Sequence, residues 1–284
     1  MTLKDLKISM AGLQMTEINA KDIIEIDEKF LNSCIVTAKR AAKSAEQIIK
    51  HYYKCSPDIT IKDDLTPVTQ ADIECEKVIQ QVLAAQFADF GFYGEETGRS
   101  NTDSDFMWLV DPIDGTKSFV REYHFFSTQI ALMYKGEIIM GLSHAPMFNE
   151  TAWAAKGLGA FIDDQPLTVS QFTKPEDSCY STGNLKSFCN DSKQWQKLRE
   201  IMSMCHKTRG YGDFYHYHLL AAGKLELIIE SDVNILDIAA LSILVKEAGG
   251  EISDLTGKEI DLNTTSILAG NPATYEKALA ILNK

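Results

Sequence analysis

Nowhere among the six cysteines, at 34, 55, 75, 179, 189 and 205, is there a Cys-x-x-Cys pair. That absence excludes a zinc knuckle and a small disulfide framework, and thiols scattered in this way are expected to be free in a reducing cytoplasm. No segment approaches the roughly 20 apolar residues that span a bilayer. The first residues also lack a charged region followed by an apolar core, so neither export nor membrane insertion is expected. Positive charge is scarce: 28 Lys and Arg stand against 40 Asp and Glu, a formal net charge of −12, with no run of like charges long enough to form an arm or tail. Nucleic acid and anionic membrane surfaces are therefore poor partners. Neither an internal repeat nor a low-complexity stretch interrupts the 284 residues, and their 45% apolar content suits one large core or two modest ones.

Residues 1–28 show no clear period and are set apart as an N-terminal extension with no assigned role. Over 30–53 the apolar residues Leu31, Cys34, Ile35, Ala38, Ala41, Ala42, Ala45, Ile48, Ile49 and Tyr52 recur at three- and four-residue spacing, which predicts an amphipathic helix. A polar link with Ser56-Pro57-Asp58 and Asp63-Asp64 leads through Thr66-Pro67-Val68-Thr69 to a second helical pattern, in which Thr69 and Asp72 are spaced as a capping box. Short β-type runs at 127–134, 137–142, 151–155 and 159–162 then read as an antiparallel meander. The remainder alternates: helices at 195–205 and 214–222, a strand at 225–229, a helix at 235–248, strands near Ile252 and Ile267, and a final helix opened by Asn271-Pro272. A break near 169–177 divides an antiparallel α+β half (29–168) from a more α/β-like half (169–284).

The chemistry is expected where the apolar run from Trp108 meets Asp111-Pro112-Ile113-Asp114-Gly115-Thr116-Lys117. Pro112 has no N–H, so an extended run is not expected to continue through it, and a backbone carbonyl is left free between the two aspartates. Two hard carboxylates and a carbonyl suit magnesium. Gly115, Thr116 and Lys117 would then open a helix whose unpaired N–H groups point at an anion, placing metal ligands beside a phosphate cradle. A bound cation would also reverse the local field that so acidic a chain presents to a phosphorylated substrate. Gly94-Glu95-Glu96-Thr97, standing alone, reads as a solvated turn. Asp237 reads equally as a first-turn acid behind an Asn234 N-cap, and Asp72 as the acid of its capping box.

In company these motifs say more. Asp111-Pro112-Ile113-Asp114-Gly115-Thr116, with Gly94-Glu95-Glu96 upstream and Asp237-Ile-Ala-Ala before Glu247-Ala-Gly-Gly, resembles the inositol monophosphatase-like superfamily of magnesium-dependent, lithium-sensitive phosphatases. The resemblance implies an α+β fold, a layered α-β-α-β-α sandwich of the inositol monophosphatase and fructose-1,6-bisphosphatase type, and a homodimer. It also implies metal positions built from Glu95, Asp111, the Ile113 carbonyl, Asp114 and Asp237. One metal would make a water more acidic and a second would stabilise the leaving oxygen. Thr116 would orient that water with Asp72 behind it, Glu95 joins them as catalytic through its metal, and Gly115 and Thr116 N–H groups would hold the phosphate. No phosphoenzyme is needed. Many relatives carry tryptophan before the last aspartate; Leu236 here implies a packing change and puts the position of Asp237 in question.

Lys117-Ser118-Phe119, Ala145-Pro146, the run 153–160 and Arg209-Gly210-Tyr211-Gly212-Asp213-Phe214-Tyr215 resemble the histidinol-phosphate phosphatase branch. The substrate implied is a small phosphorylated alcohol, L-histidinol phosphate, bound by Lys117, Asp213 and Glu230, whose carboxylates suit an ammonium as well as hydroxyls. Glu230 reads equally as a strand-end surface acid and Asp213 as an N-cap. His124, His144, His216 and His218 form no metal pattern and are expected to be surface or structural. Rival readings are an inositol-1-phosphate or polyol phosphatase, a 3′(2′),5′-bisphosphate nucleotidase, and a catalytically silent scaffold. The last would keep a cluster of mutually repelling carboxylates with nothing to offset it.

Overall fold

Helix α1 (Glu28–Tyr52) carries the predicted apolar stripe and starts earlier than expected because Asp27 caps it, its side chain accepting the Phe30 N–H at 2.7 Å. The computed structural model describes residues 26–53, 59–61 and 67–284. The N-terminal extension therefore lies almost wholly outside the described residues, as do Cys55, Ser56-Pro57-Asp58, Asp63-Asp64, Thr66 and the Thr69 side chain of the predicted capping box. Short strands β1 (Ile59–Ile61) and β2 (Pro67–Thr69) pair antiparallel and lead into α2 (Gln70–Ala84).

An eight-stranded sheet follows. It is built from β3 (Gly91–Gly94), β4 (Gly98–Ser100), β5 (Phe106–Asp114), β6 (Ser127–Tyr134), β7 (Glu137–Ala145), β8 (Glu150–Ala155), β9 (Gly159–Ile162) and β10 (Gln165–Pro166), with the short helix α3 (Thr116–Val120) between β5 and β6. Its spatial order is β10-β9-β8-β7-β6-β5-β3-β4, antiparallel throughout except where β3 runs parallel to β5. The predicted meander is thus β6 to β9.

The chain then builds a five-stranded mixed sheet. Strand β11 (Cys179–Thr182) is followed by α4 (Lys186–Asn190), α5 (Ser192–Met204), β12 (Lys207–Arg209), α6 (Asp213–Ala221), β13 (Leu227–Ser231), α7 (Ile235–Glu247), β14 (Glu251–Ser253), β15 (Ser266–Gly270) and α8 (Pro272–Leu282). Strand β11 lies parallel to β12 and β13, while β15 is antiparallel to β13 and β14.

The layers are α-β-α-β-α. Helices α1 and α2 cover one face of the large sheet around Trp108 and Ile130. Helices α6 and α7 fill the space between the sheets, and α4, α5 and α8 cover the outer face of the small sheet around Tyr180 and Leu268. Helix α7 is apolar all round, as a helix with a sheet on either side must be. It comes so close to β7 that a Cβ at Gly141 would lie 2.5 Å from the Ala240 carbonyl. Among the described residues no helix is long and apolar enough to cross a membrane, and Cys34, Cys75, Cys179, Cys189 and Cys205 are free.

Several expectations need correction. Strands β11 and β12 and helix α4 give no readable period because each is only a turn or a few residues long. Helix α5 begins before Trp195, since Asp191 caps it by accepting the Lys193 and Gln194 N–H groups at 2.8 and 3.1 Å. The strand expected at 225–229 sits further along, so Glu230 is an interior strand residue and buried, not a surface acid. His124 is at the surface, and His144, His216 and His218 are buried and hydrogen-bonded, in keeping with the surface or structural roles expected of these four.

Candidate active site

Strand β5 does not stop at Pro112. It continues to Asp114 through a bulge: Asp111 pairs with Gln129 and Asp114 with Ser127, so β5 carries one residue more than β6 over the same span. The bulge answers the missing proline N–H, and Thr128 Oγ1 donates to the Pro112 carbonyl at 2.9 Å. Residues three apart in a regular strand point to opposite faces; the extra residue turns both carboxylates to the same side. The Ile113 carbonyl, expected to be free, lies 3.1 Å from Thr116 Oγ1 and keeps lone pairs for a further partner, while Ile113 N–H donates to Asp111 Oδ1 at 2.9 Å.

Gly115 then takes a left-handed φ of 92°, where a Cβ would stand 2.7 Å from the Phe125 carbonyl. Only glycine fits. Helix α3 starts on the next residue with no side-chain cap, and of its first turn Ser118 N–H already donates to the Gly115 carbonyl at 2.8 Å, which leaves the Thr116 and Lys117 N–H groups for an anion. The Thr116 hydroxyl also lies 3.3 Å from Asp72 Oδ1, so the first turn of α2 and the first turn of α3 meet at that oxygen.

The last aspartate comes from the first turn of α7. Asp237 is the capping-box acid: its carboxylate accepts Asn234 N–H at 2.9 Å and Asn234 Nδ2 at 2.8 Å, and it also faces the β5 pair. Oxygens of Asp111, Asp114 and Asp237 all lie within 4.8 Å of one another. Leu236 is buried, and Asp237 beside it stays in this cluster. Burial, then Glu95 and the neighbouring aspartates, drives the Asp111 carboxyl well above its ordinary range. Burial, then Asp213, Asp237 and Glu230, does the same to Asp114. Burial pushes Asp237 up to about 7 against the Asn234 hydrogen bonds that hold it down. So concentrated a set of carboxylate oxygens is the donor set of a hard divalent cation, which would offset the repulsion.

Glu95 lines the same cleft, of about 220 Å³, as Asp111, Asp114, Gly115, Thr116 and Asp237. Its place is set by Glu76, which the sequence reading passed over. The buried Glu76 carboxylate accepts the N–H groups of Glu96 and Thr97, each at 2.8 Å, and a Cβ at Gly94 would stand 2.5 Å from it. The signal available was its position four residues after Asp72, on the same face of α2. Ser127 and Gln129, which donate to Asp114 Oδ2 at 3.3 and 3.4 Å, were also missed; strand residues of ordinary polarity carry no such signal.

Lys117 and Asp213 line the same cleft, together with Asn184, Asp232 and Asn234. Asp213 is the first residue of α6 rather than its cap; Gly212 precedes the helix. Burial, then Glu230, raises the Asp213 carboxyl from its usual 3.8 to about 6. Glu230 does not line this cleft. It faces a smaller void of about 30 Å³ beneath it, bounded by Asp114, Asp213 and Asp237.

The chain belongs to the inositol monophosphatase family, whose model matches residues 31–284. A histidinol-phosphatase from Mycobacterium tuberculosis is 35% identical over 230 residues, 79% of this chain and 88% of that protein. An inositol-1-monophosphatase from Caulobacter vibrioides is 32% identical over 220 residues, 75% of this chain and 85% of the relative. The crystal structure of extragenic suppressor protein suhB from Bartonella henselae superimposes with a TM-score of 0.81 at 30% identity, covering 89% of this chain and 99% of the other.

Proposed function

We propose that this chain is a magnesium-dependent phosphomonoesterase whose favoured substrate is L-histidinol phosphate, hydrolysed to L-histidinol and phosphate. The observation that carries the reading is one cleft in which the Asp111, Asp114 and Asp237 carboxylates adjoin the Gly115-Thr116 helix start, with a further acidic group, Asp213, in its lining. Glu95, Asp111, the Ile113 carbonyl, Asp114 and Asp237 would hold the magnesium. When bound, the ion supplies Lewis-acid polarisation of the ester and a more acidic water.

The chain's own residues do the rest. Asp72 accepts the Thr116 hydroxyl hydrogen, which leaves Thr116 Oγ1 lone pairs to orient the attacking water. Gly115 and Thr116 N–H groups bind the phosphate oxygens, and the exposed Lys117 adds charge at the rim. Asp213 meets the leaving alcohol, where a carboxylate suits the histidinol ammonium. The branch motifs and the tuberculosis relative support this ester. A second reading, an inositol-1-phosphate or polyol phosphatase, is supported by the Asn184 and Asn234 amides in the cleft and by the Caulobacter relative. A homodimer in a reducing cytoplasm, with no nucleic-acid or membrane partner, accords with the family resemblance, the dispersed thiols and the charge of −12.

The test is phosphate release from histidinol phosphate, inositol 1-phosphate and 3′-phosphoadenosine 5′-phosphate, with magnesium, with EDTA and with added lithium. Magnesium-dependent preference for histidinol phosphate is expected. Preference for either other ester overturns the substrate, and no turnover of any ester overturns the phosphatase reading.

A further inference from the structure

We propose that Ser127 and Gln129 are positioning residues that tune the metal site toward magnesium and away from calcium, by engaging Oδ2 of Asp114 so that this aspartate offers a cation Oδ1 alone. The inference rests on the reading above that Asp114 is a metal ligand.

The register of the large sheet brings the parts together. Ser127 and Gln129, two residues apart on β6, share one face. Gln129 stands opposite Asp111 on β5 and opposite Ser143 on β7, and the β5 bulge sets Asp114 opposite Ser127. From there Gln129 Nε2 reaches three oxygens: Ser127 Oγ at 2.8 Å, Ser143 Oγ at 3.1 Å and Asp114 Oδ2 at 3.4 Å. Ser127 Oγ lies 3.3 Å from the same Asp114 oxygen. One arrangement of hydrogens suits them all. Gln129 gives one N–H to Ser143 and points the other between Ser127 and Asp114, while Ser127 donates its own hydrogen to Oδ2. Both donors therefore converge on Oδ2, and Asp114 Oδ1 has no donor among the described residues.

The amide is costly where it stands. Gln129 is buried, and its Oε1 has no donor among the described residues. A buried acceptor left unpaired lowers stability, so this side chain is better explained by what Nε2 does for Asp114 than by packing. Turning the amide over would set Oε1 against the Asp114 carboxylate, which holds the donor end toward the site. A cation reads the result. Magnesium demands near-ideal octahedral geometry, which the narrow bite of a carboxylate chelating through both oxygens does not match, whereas the larger calcium ion accepts carboxylates through one oxygen or two. Holding Oδ2 in the sheet favours the first ion; releasing it admits the second.

The experiment is calorimetric titration of the wild type, S127A, Q129M, the double variant S127A/Q129M and D114N with magnesium and, separately, with calcium. The double variant strips both donors from Oδ2. It is expected to bind magnesium about tenfold more weakly, the weight of a buried hydrogen bond to a charged group, and to bind calcium as the wild type does or more tightly. Each single variant is expected to move the ratio of the two affinities the same way by a smaller factor, because the remaining donor still holds Oδ2. Equal weakening of both ions would show that the two residues support the site without choosing its ion, and would overturn the proposal, as would an unchanged ratio in the double variant. Should the double variant fold poorly, the single variants carry the test, and an unchanged ratio in both counts against the proposal. D114N keeps the two readings apart. Wild-type magnesium affinity in D114N overturns Asp114 as a ligand, whereas weakened binding there beside a wild-type ratio in the other variants overturns this proposal alone.

Discussion

Glutamine at position 76 would keep the shape of Glu76 but replace one acceptor by a donor, facing either the Glu96 or the Thr97 N–H. Leaving one buried N–H unpaired costs about 1–3 kcal/mol, and part of that cost falls on the turn that presents Glu95. E76Q is therefore expected to weaken magnesium binding severalfold in a calorimetric titration; unchanged affinity would show that the turn holds itself. Asp114→Asn removes a charge from the centre of the cluster and is expected to abolish turnover with an unchanged circular dichroism spectrum. Asp213 gives a pH signature. Its folded value of about 6 exceeds the usual 3.8, so the folded chain binds the extra proton and stability falls as pH rises between those values. D213N is expected to raise the thermal midpoint at pH 8, by an amount that shrinks below pH 6 and vanishes near pH 4. Asp111 and Asp114 were legible because hard ligands beside a glycine-opened turn are a local pattern, whereas Asp237, by itself a first-turn helix acid, entered only through the family resemblance. Glu76 was not, because its role lies in where α2 sits relative to the 94–97 turn.

Helix α7 is the element on which the architecture turns. Leu244, buried in the core between the sheets, is expected to cost about 2–5 kcal/mol on replacement by alanine, a drop of the midpoint readable by calorimetry. Gly141→Val drives a side chain into the Ala240 carbonyl and should separate helix from sheet, with a loss of about 1–3 kcal/mol or more; a wild-type midpoint would mean that β7 yields freely. Helix α1 was readable from its period, α7 from its long apolar run, and strands β6 to β9 from β-type runs separated by clear turns. The β5 bulge was not, because proline in a strand argues for an end, and only the partner strand supplies the donor that lets it go on. Strands β11 and β12 escaped because a handful of residues cannot display alternation.

At the scale of the whole molecule, the charge of −12 should slow the approach of any phosphate ester, and added salt should raise kcat/KM at low ionic strength by screening that repulsion. The placement of the acidic cluster has a different consequence. Asp111 and Asp114 come from a strand of the large sheet, and Asp237 from the helix clamped between that sheet and the small one. A divalent cation held among them joins parts of the chain that the unfolded state lets drift apart, so folding and ion concentration become linked by mass action. At 100 times its dissociation constant, an ion that binds only the folded chain adds about 2.7 kcal/mol. The thermal midpoint should then climb with magnesium in the wild type and stay level in D237N. Under that linkage, starving the protein of its cation would shorten its lifetime as well as silence it.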